Sequence, residues 1–226
     1  MLTFERIWGE RQDHVAVEID TLIIAGWAGR DAAAIEHHIE ELEAIGVPRP
    51  SAVPLFYRVS AGLLSQAGQL QMLGPDSSGE IEPVVLSLAD GLWVTIGSDH
   101  TDRKAEAAGV ALSKQLCAKA LARTLWRYDE VAPHWDSLIL RAWAVIDGQR
   151  RLYQEGAVAA LRSPADLMQR YGNTATLPSG SLMFGGTLGA IGGIRSASRF
   201  EMELEDPVLG RKIQHAYDIA VLPVIA

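Results

Sequence analysis

Most of the hydrophobic pattern along this chain has the period of two that is typical of β-strands. Residues 15–20 place Val, Val and Ile alternately with small or polar residues, and the run that follows, 21–27, is almost continuously apolar. Alternation predicts a half-buried strand, and an unbroken apolar run predicts a buried one. Residues 2–27 therefore read as a β-hairpin with its turn at 9–13, followed by a buried strand.

Similar runs recur along the rest of the chain and are separated by turn residues. The predicted strands lie at 55–64, 80–86, 92–96, 138–146, 150–154, 182–187, 200–205 and 212–222. Asp147-Gly148 predicts a two-residue hairpin turn, and residues 89–91 predict another tight turn. About eight or more strands against two or three helices favour an α/β fold dominated by its sheets.

One stretch near the start has the clear pattern of a helix. Asp31 predicts the N-cap of a helix over 31–45, and Gly46 predicts its end. Its apolar stripe consists of Ile35, Ile39, Leu42 and Ile45. His38 falls inside this stripe and Glu41 on its edge, one turn apart and within reach of each other. The pair reads as a general base oriented by a carboxylate, or as a core histidine beside a solvated glutamate.

Two further stretches are predicted to be helical. Residues 104–126 are rich in Ala, Leu and Lys, and within them Lys114 and Lys119 are candidates for a site, although most lysines are solvated. Ser163, followed by proline at the first helical position, predicts a helix over 163–170.

Two acidic stretches lie at the ends of neighbouring predicted strands. Glu80 and Glu82 are two residues apart, so on a strand they point to one face. The segment 97–103 follows the apolar run 92–96 and holds two aspartates, a histidine and an arginine. Clustered carboxylates are the ligands of a hard divalent cation, so the sequence predicts a metal site. An exposed strand face and a solvated loop are the alternatives.

Composition excludes several classes of protein. The chain has 226 residues, 48% of them hydrophobic, and a net charge of −8. Scattered acidic charge argues against nucleic-acid binding, and no apolar run reaches the ~20 residues of a membrane span. Cys117 is the only cysteine, so no disulfide forms within the chain, and with no signal peptide recognised a cytoplasmic location is expected. Residues 1–226 are predicted to be one catalytic domain, with a hairpin and a lid-like helix at 1–50 and a β-rich core at 51–226.

Six motifs, taken in order, resemble the fumarylacetoacetate hydrolase superfamily. They are His38-Ile-Glu-Glu41, Val53-Pro-Leu-Phe56, Glu80-Ile-Glu82, Asp99-His-Thr-Asp-Arg103, Gln154-Glu-Gly156 and Leu177-Pro-Ser-Gly-Ser-Leu-Met-Phe-Gly-Gly-Thr187. The resemblance covers roughly residues 22–222 and is to a divergent bacterial branch of unknown function. It implies a mixed β-sheet rolled into a sandwich, with a few peripheral helices, and a homodimer.

The resemblance also implies the roles of individual residues. Metal ligands would be Glu80, Glu82 and Asp99, with Asp102 in reserve, and the metal would be Mg²⁺ or Mn²⁺, with Ca²⁺ as an alternative. The implied catalytic residues are His38, Glu41 and Lys114. The implied substrate-binding residues are Asp102, Arg103, Gly186 and Thr187.

The function implied by the resemblance is metal-dependent chemistry on a small 2-oxo acid. Hydrolysis of a C–C bond in an acylpyruvate-like substrate, through a metal-stabilised enolate, is the first expectation. A decarboxylase, isomerase or hydratase on the same site is an alternative. A non-catalytic binding protein of the same fold, or a metal-free enzyme that uses His100 or Cys117, are the alternatives from other classes.

Overall fold

A computed structural model describes residues 1–44 and 49–225; the side chains of residues 38, 41, 42 and 44 are outside the described part. The larger of its two main sheets mixes parallel and antiparallel neighbours. In spatial order its main path is β2 (Arg11–Val17), β1 (Leu2–Trp8), β12 (Thr124–Arg127), β9 (Gly91–Ser98), β8 (Ile81–Leu88), β15 (Ser181–Phe184), β3 (Thr21–Gly26) and β4 (Leu55–Val59). Beside β9 lie β11 (Lys119–Leu121) and its partner β5 (Leu64–Ser65).

The second main sheet has five strands and is antiparallel except at one edge. In spatial order they are β14 (Gln149–Ala157), β13 (Ile139–Ile146), β16 (Arg199–Asp206), β17 (Arg211–Leu222) and β6 (Gln69–Leu73). A short pair, β7 (Ser77–Ser78) and β10 (Thr101–Asp102), lies apart from both sheets.

Short helices connect the strands. They are α1 (Ala32–Ala44), α2 (Arg103–Glu106), α3 (Val110–Leu116), α4 (Tyr128–Val131) and α5 (Pro164–Gly172). In the described ranges, no helix has the length and apolar composition needed to cross a lipid bilayer.

The main core forms where the two sheets face each other. Ile81 and Val94 of the larger sheet belong to the same buried cluster as Leu140 and Phe200 of the smaller one. All four side chains are at most 1% exposed, and burying a side chain of this size contributes about 1.5–3 kcal/mol. The predicted β-dominated fold is confirmed.

Most of the predicted elements are present. The first hairpin pairs Leu2 with Val17, and Ser163 caps α5 by accepting from the backbone N of Asp166. The hairpin turn at 147–148 joins β13 and β14. The predicted stop of the first helix at Gly46 lies outside the described residues.

The predicted helix over 104–126 is present only in its first half, as two short helices, and is wrong for its second half. The structure breaks this stretch into α2, α3, β11 and β12. Ala120 pairs with Ser98 of β9, and the buried Trp126 pairs with Val94. Strand pairing that buries these side chains therefore overrides the helix propensity of an Ala- and Leu-rich sequence.

Candidate active site

Three carboxylates converge where strands β8 and β9 meet. The two strands form an antiparallel hairpin in which Ile81 pairs with Ser98, so the start of one strand lies beside the end of the other. This register brings Glu80 and Glu82 next to Asp99. One carboxylate oxygen from each of these residues lies within 4.8 Å of the other two, which is close enough for all three to contact one cation.

The cluster is largely buried. Asp99 is 0% exposed and Glu82 is 2% exposed, while the side chain of Glu80 is 16% exposed. The exposed strand face and the solvated loop that the sequence left open are therefore wrong for Glu82 and Asp99. Among the three carboxylates, Glu80 is the one that contacts solvent most.

Three cationic side chains surround the carboxylates. Lys114 Nζ contacts Asp99 Oδ2 and lies 3.7 Å from Glu80 Oε2. Lys119 Nζ lies 2.7 Å from Asp99 Oδ1 and is fully buried. Arg103 Nη2 lies 2.9 Å from Glu80 Oε1. Three positive groups thus face three carboxylates, and Lys114 is adjacent to two of them.

The pKa values of the two buried carboxyl groups are shifted in opposite directions. Burial, and then the negative charge of Asp99, raise the pKa of Glu82 well above its ordinary value. Burial also acts to raise the pKa of Asp99, but the ammonium groups of Lys114 and Lys119 outweigh it and lower that pKa. Without another cation, the site therefore favours an ionised Asp99 and a protonated Glu82.

Gly186 and Thr187, predicted to bind substrate, lie beside the carboxylates but are engaged in other bonds. Gly186 N donates to Glu82 Oε2 at 2.7 Å. Its φ is 92°, and an added Cβ would lie 2.6 Å from that of Ala28, so only glycine fits here. Thr187 Oγ1 donates to the carbonyl of Ile81 and accepts from Gln154 Nε2, both at 2.8 Å. Their contact with a substrate stays a prediction.

The other predicted substrate residues, Asp102 and Arg103, lie at the start of α2. Asp102 caps α2, because its Oδ1 accepts from the backbone N of Ala105 at 2.9 Å; it is not in the carboxylate cluster. Arg103 holds Glu80 and Glu106 together and donates from Nε to Ser78 Oγ at 2.7 Å. Arg103 is therefore placed to fix Glu80.

The predicted His38–Glu41 pair lies on α1, but both side chains are outside the described part of the chain. Their roles as base and orienting carboxylate stay predictions. His100 and Cys117, the residues of the metal-free alternative, are both buried. Both ring nitrogens of His100 are engaged by Tyr217 and Ser77, and burial raises the pKa of Cys117 to about 11. Neither side chain is placed to act as a nucleophile or base.

The sequence patterns gave little weight to Lys119, assigned no role to Gln154 and did not indicate Tyr217. Lys119 stands between two alanines in a stretch that becomes a strand, and a lysine inside an apolar strand is a signal that could have been used. Gln154 enters only through the Gln154-Glu-Gly156 motif of the resemblance, which assigns it no role. The hydroxyl of Tyr217 reaches the site from the other sheet, which no local pattern indicates.

Solved structures of similar fold cover nearly the whole chain. One is 2-keto-3-deoxyarabinonate dehydratase, 17% identical with a TM-score of 0.65 over 91% of this chain and 75% of that chain. The same enzyme complexed with magnesium and 2,5-dioxopentanoate is 17% identical, with a TM-score of 0.62 over 92% of this chain and 75% of that chain. The 4-oxalocrotonate decarboxylase from Pseudomonas putida G7, complexed with calcium and acetate, is 14% identical, with a TM-score of 0.58 over 91% of this chain and 78% of that chain.

These likenesses show the fold, and they confirm the resemblance to the fumarylacetoacetate hydrolase superfamily at that level. No curated protein matches the sequence significantly. A family model described as "Protein of unknown function (DUF2848)" matches residues 25–217. Because this match spans most of the chain, the protein belongs to the DUF2848 family.

Proposed function

We propose that this protein is a divalent-metal-dependent enzyme that acts on a small 2-oxo acid. The observation that carries the proposal is the convergence of Glu80, Glu82 and Asp99 within 4.8 Å. The dehydratase and the decarboxylase of similar fold support it, because their structures are complexes with magnesium and calcium respectively.

The donor set fits a hard cation. Oxygen ligands from carboxylates suit Mg²⁺, Mn²⁺ or Ca²⁺. Burial, and then the negative charge of Asp99, raise the pKa of Glu82 and so disfavour its ionised form, and a divalent cation bound here would offset both effects. With such an ion bound, the three carboxylates, Lys114, Lys119 and Arg103 together carry an excess of positive charge, which favours an anionic substrate.

A bound divalent cation supplies Lewis acidity that polarises the keto and carboxylate oxygens of such a substrate. Lys114 lies beside the half-buried Glu80. Burial acts to lower the pKa of Lys114, but the charges of Asp99 and Glu80 outweigh it and raise that pKa. Lys114 therefore keeps its proton and acts as a cation and hydrogen-bond donor toward negative charge on the substrate. Lys119 is fully buried and holds Asp99 from behind.

Hydrolysis of a C–C bond in an acylpyruvate is the first reaction to test. It needs a base that activates water, and His38 with Glu41 is the pair predicted for that step. Decarboxylation or dehydration of a 2-oxo acid is the second candidate, favoured by the activities named for the similar structures. His38→Ala separates them, because hydrolysis should slow by about 10²–10⁴-fold whereas the second candidate depends less on this pair.

Metal binding is tested by titrating chelator-treated protein with Mn²⁺ in a calorimeter. Wild type should bind one equivalent, and Glu82→Gln should weaken the binding strongly. Glu203→Gln is the matched control, since Glu203 is also a glutamate only 5% exposed but lies in the five-stranded sheet. Equal binding by wild type and Glu82→Gln would remove Glu82 from the site.

Activity is tested with a panel of acylpyruvates and oxaloacetate in Mn²⁺ or Mg²⁺, followed by loss of 2-oxo acid absorbance. Turnover should require the metal and should be lost in Glu82→Gln but kept in Glu203→Gln. Metal binding without turnover on any member of the panel would favour the non-catalytic binding protein. Absence of metal binding would reject the proposed function.

A further inference from the structure

A buried chain of hydrogen bonds runs beneath the carboxylate cluster. Its members are the side chains of Ser77, His100, Tyr217 and Ser98, all at most 4% exposed. His100 Nδ1 lies 2.8 Å from the Tyr217 hydroxyl, and His100 Nε2 lies 2.9 Å from Ser77 Oγ. The Tyr217 hydroxyl donates to Ser98 Oγ at 2.9 Å. None of these side chains has a part in the chemistry proposed above.

The bond from the Tyr217 hydroxyl to Ser98 sets the direction of the other hydrogen bonds. Because Tyr217 gives its hydrogen to Ser98, His100 Nδ1 must donate to the Tyr217 oxygen, and Nε2 then accepts from the Ser77 hydroxyl. In this arrangement the imidazole is neutral, with its single proton on Nδ1.

The chain ends on the backbone that carries two of the carboxylates. Ser98 Oγ accepts from the backbone N of Glu80 at 3.1 Å, and the backbone N of Asp99 donates to the carbonyl of Glu80 at 3.0 Å. The two bonds join the start of β8 to the end of β9. Lys119 holds the next residue of this segment by donating to the carbonyl of His100 at 2.6 Å.

We propose that Tyr217 and His100 are positioning residues that fix Ser98, and through it the backbone of Glu80, at the separation from Asp99 that cation binding needs. Tyr217 belongs to β17 of the five-stranded sheet, whereas Glu80 and Asp99 flank strands of the larger sheet. The second sheet thus supports a site built on the first. The inference rests on the proposed function, because it assigns a task to residues behind that same site.

The test compares two tyrosines that lose the same atom. Tyr217→Phe removes the hydroxyl that reaches Ser98. Tyr153→Phe is the control: Tyr153 is 1% exposed, its ring contacts Phe200 at 5.9 Å as that of Tyr217 does, and its hydroxyl bonds to the backbone of Arg195. Both substitutions therefore remove one hydroxyl from the same hydrophobic core, but only Tyr217→Phe interrupts the chain of hydrogen bonds that ends at Ser98.

The first readout is Mn²⁺ affinity by calorimetry. Tyr217→Phe should weaken binding by about 10–100-fold, the usual effect of losing a residue that orients a metal ligand. Tyr153→Phe should keep the wild-type affinity even where its melting temperature falls as much as that of Tyr217→Phe. Equal affinity in the two variants would overturn the proposal.

The second readout needs no metal. In chelator-treated protein, exchange of the Glu80 amide hydrogen, followed by NMR, should be about 2–10-fold faster in Tyr217→Phe than in Tyr153→Phe, since the bond to Ser98 Oγ is loosened. If wild type binds no Mn²⁺, the proposed function fails and this comparison alone decides the positioning role. The same exchange rate in both variants would reject that role.

Ser98→Ala provides a second variant if Tyr217→Phe does not fold. It removes the last link of the chain and should reproduce both effects. In a Ser98→Ala background Tyr217→Phe should then cause little further loss of Mn²⁺ affinity, because both substitutions interrupt the same chain of hydrogen bonds. Tyr153→Phe should have the same effect on affinity in either background. Additive losses from Tyr217→Phe and Ser98→Ala would contradict a shared path.

Discussion

At the scale of single residues, two buried lysines stabilise the ionised form of Asp99. Its carboxylate is 0% exposed and meets both Lys114 and Lys119. A buried ionised group is stable only when it is paired with opposite charge. Asp99 and the two lysines therefore compensate one another's charge. The cost of breaking this arrangement can be measured.

Lys119→Met should lower the free energy of unfolding by about 3–5 kcal/mol, because it leaves a buried carboxylate without one of its two partners. Urea denaturation at neutral pH measures the change. The control is Lys104→Met, since Lys104 is exposed on α2 and its loss should cost little. An equally small effect in both variants would show that Lys119 does not stabilise Asp99.

Glu82 predicts a pH dependence of the metal-free protein. Its pKa in the folded state is raised above the ordinary 4.5, so the folded chain binds a proton that the unfolded chain has lost. This contribution to stability is complete below the unfolded pKa and is lost as the pH rises through the folded pKa. Glu82→Gln should therefore gain stability relative to wild type on going from about pH 5 to about pH 8.

Glu203→Gln should change stability with pH in the opposite sense to Glu82→Gln. Burial acts to raise the pKa of Glu203, but Gln214, Lys212 and Arg141 lower it, so its contribution is present above the unfolded pKa and is lost as the pH falls through the folded one. Glu203→Gln should thus lose stability relative to wild type as the pH rises through the folded pKa of Glu203 to about 5, with little further change up to about pH 8. Urea denaturation with chelator present checks both variants, and slopes of the same sign would contradict the assignment.

At the scale of elements, β9 needs a glycine at one position. An added Cβ on Gly97 would lie 2.6 Å from the ring of Phe184 and 2.7 Å from the carbonyl oxygen of Ala120. The backbone of β11 and the ring from β15 therefore approach β9 only because Gly97 has no side chain. The close approach also brings Lys119 up to Asp99.

Gly97→Ala should lower the free energy of unfolding by about 1–3 kcal/mol through overpacking. Gly109→Ala is the control: its φ of 160° is extended backbone, and an added Cβ meets nothing within 4 Å. That change should be neutral or raise stability by up to about 1 kcal/mol. A loss in Gly109→Ala as large as that in Gly97→Ala would mean that this contact geometry does not govern the cost.

At the scale of the whole molecule, the predicted homodimer stays a prediction. Apolar side chains are exposed at the end of β17 and on the strand beside it, among them Leu73 at 52%, Val221 at 55% and Val224 at 66%. A two-fold dimer would cover such a surface. Light scattering at micromolar concentration should give twice the 24.5 kDa of the chain; a monomer mass would contradict the prediction.

The sequence by itself determined the elements whose signals are local. Alternating side chains predicted β16, Ser163 with Pro164 predicted the start of α5, and the spacing of Glu80 and Glu82 marked the carboxylates that meet Asp99 across one hairpin. Such signals survive because the strand period, the helix cap and a short hairpin each depend on neighbours in the chain.

Only the tertiary structure decided which groups surround these carboxylates. The stretch 104–126 has the composition of a helix, yet pairing with β9 turns its second half into strands and buries Lys119 against Asp99. Tyr217, far along the chain and in the other sheet, reaches Ser98. The energy of these contacts comes from burial and charge pairing between distant segments, and a pattern read along a single stretch contains neither.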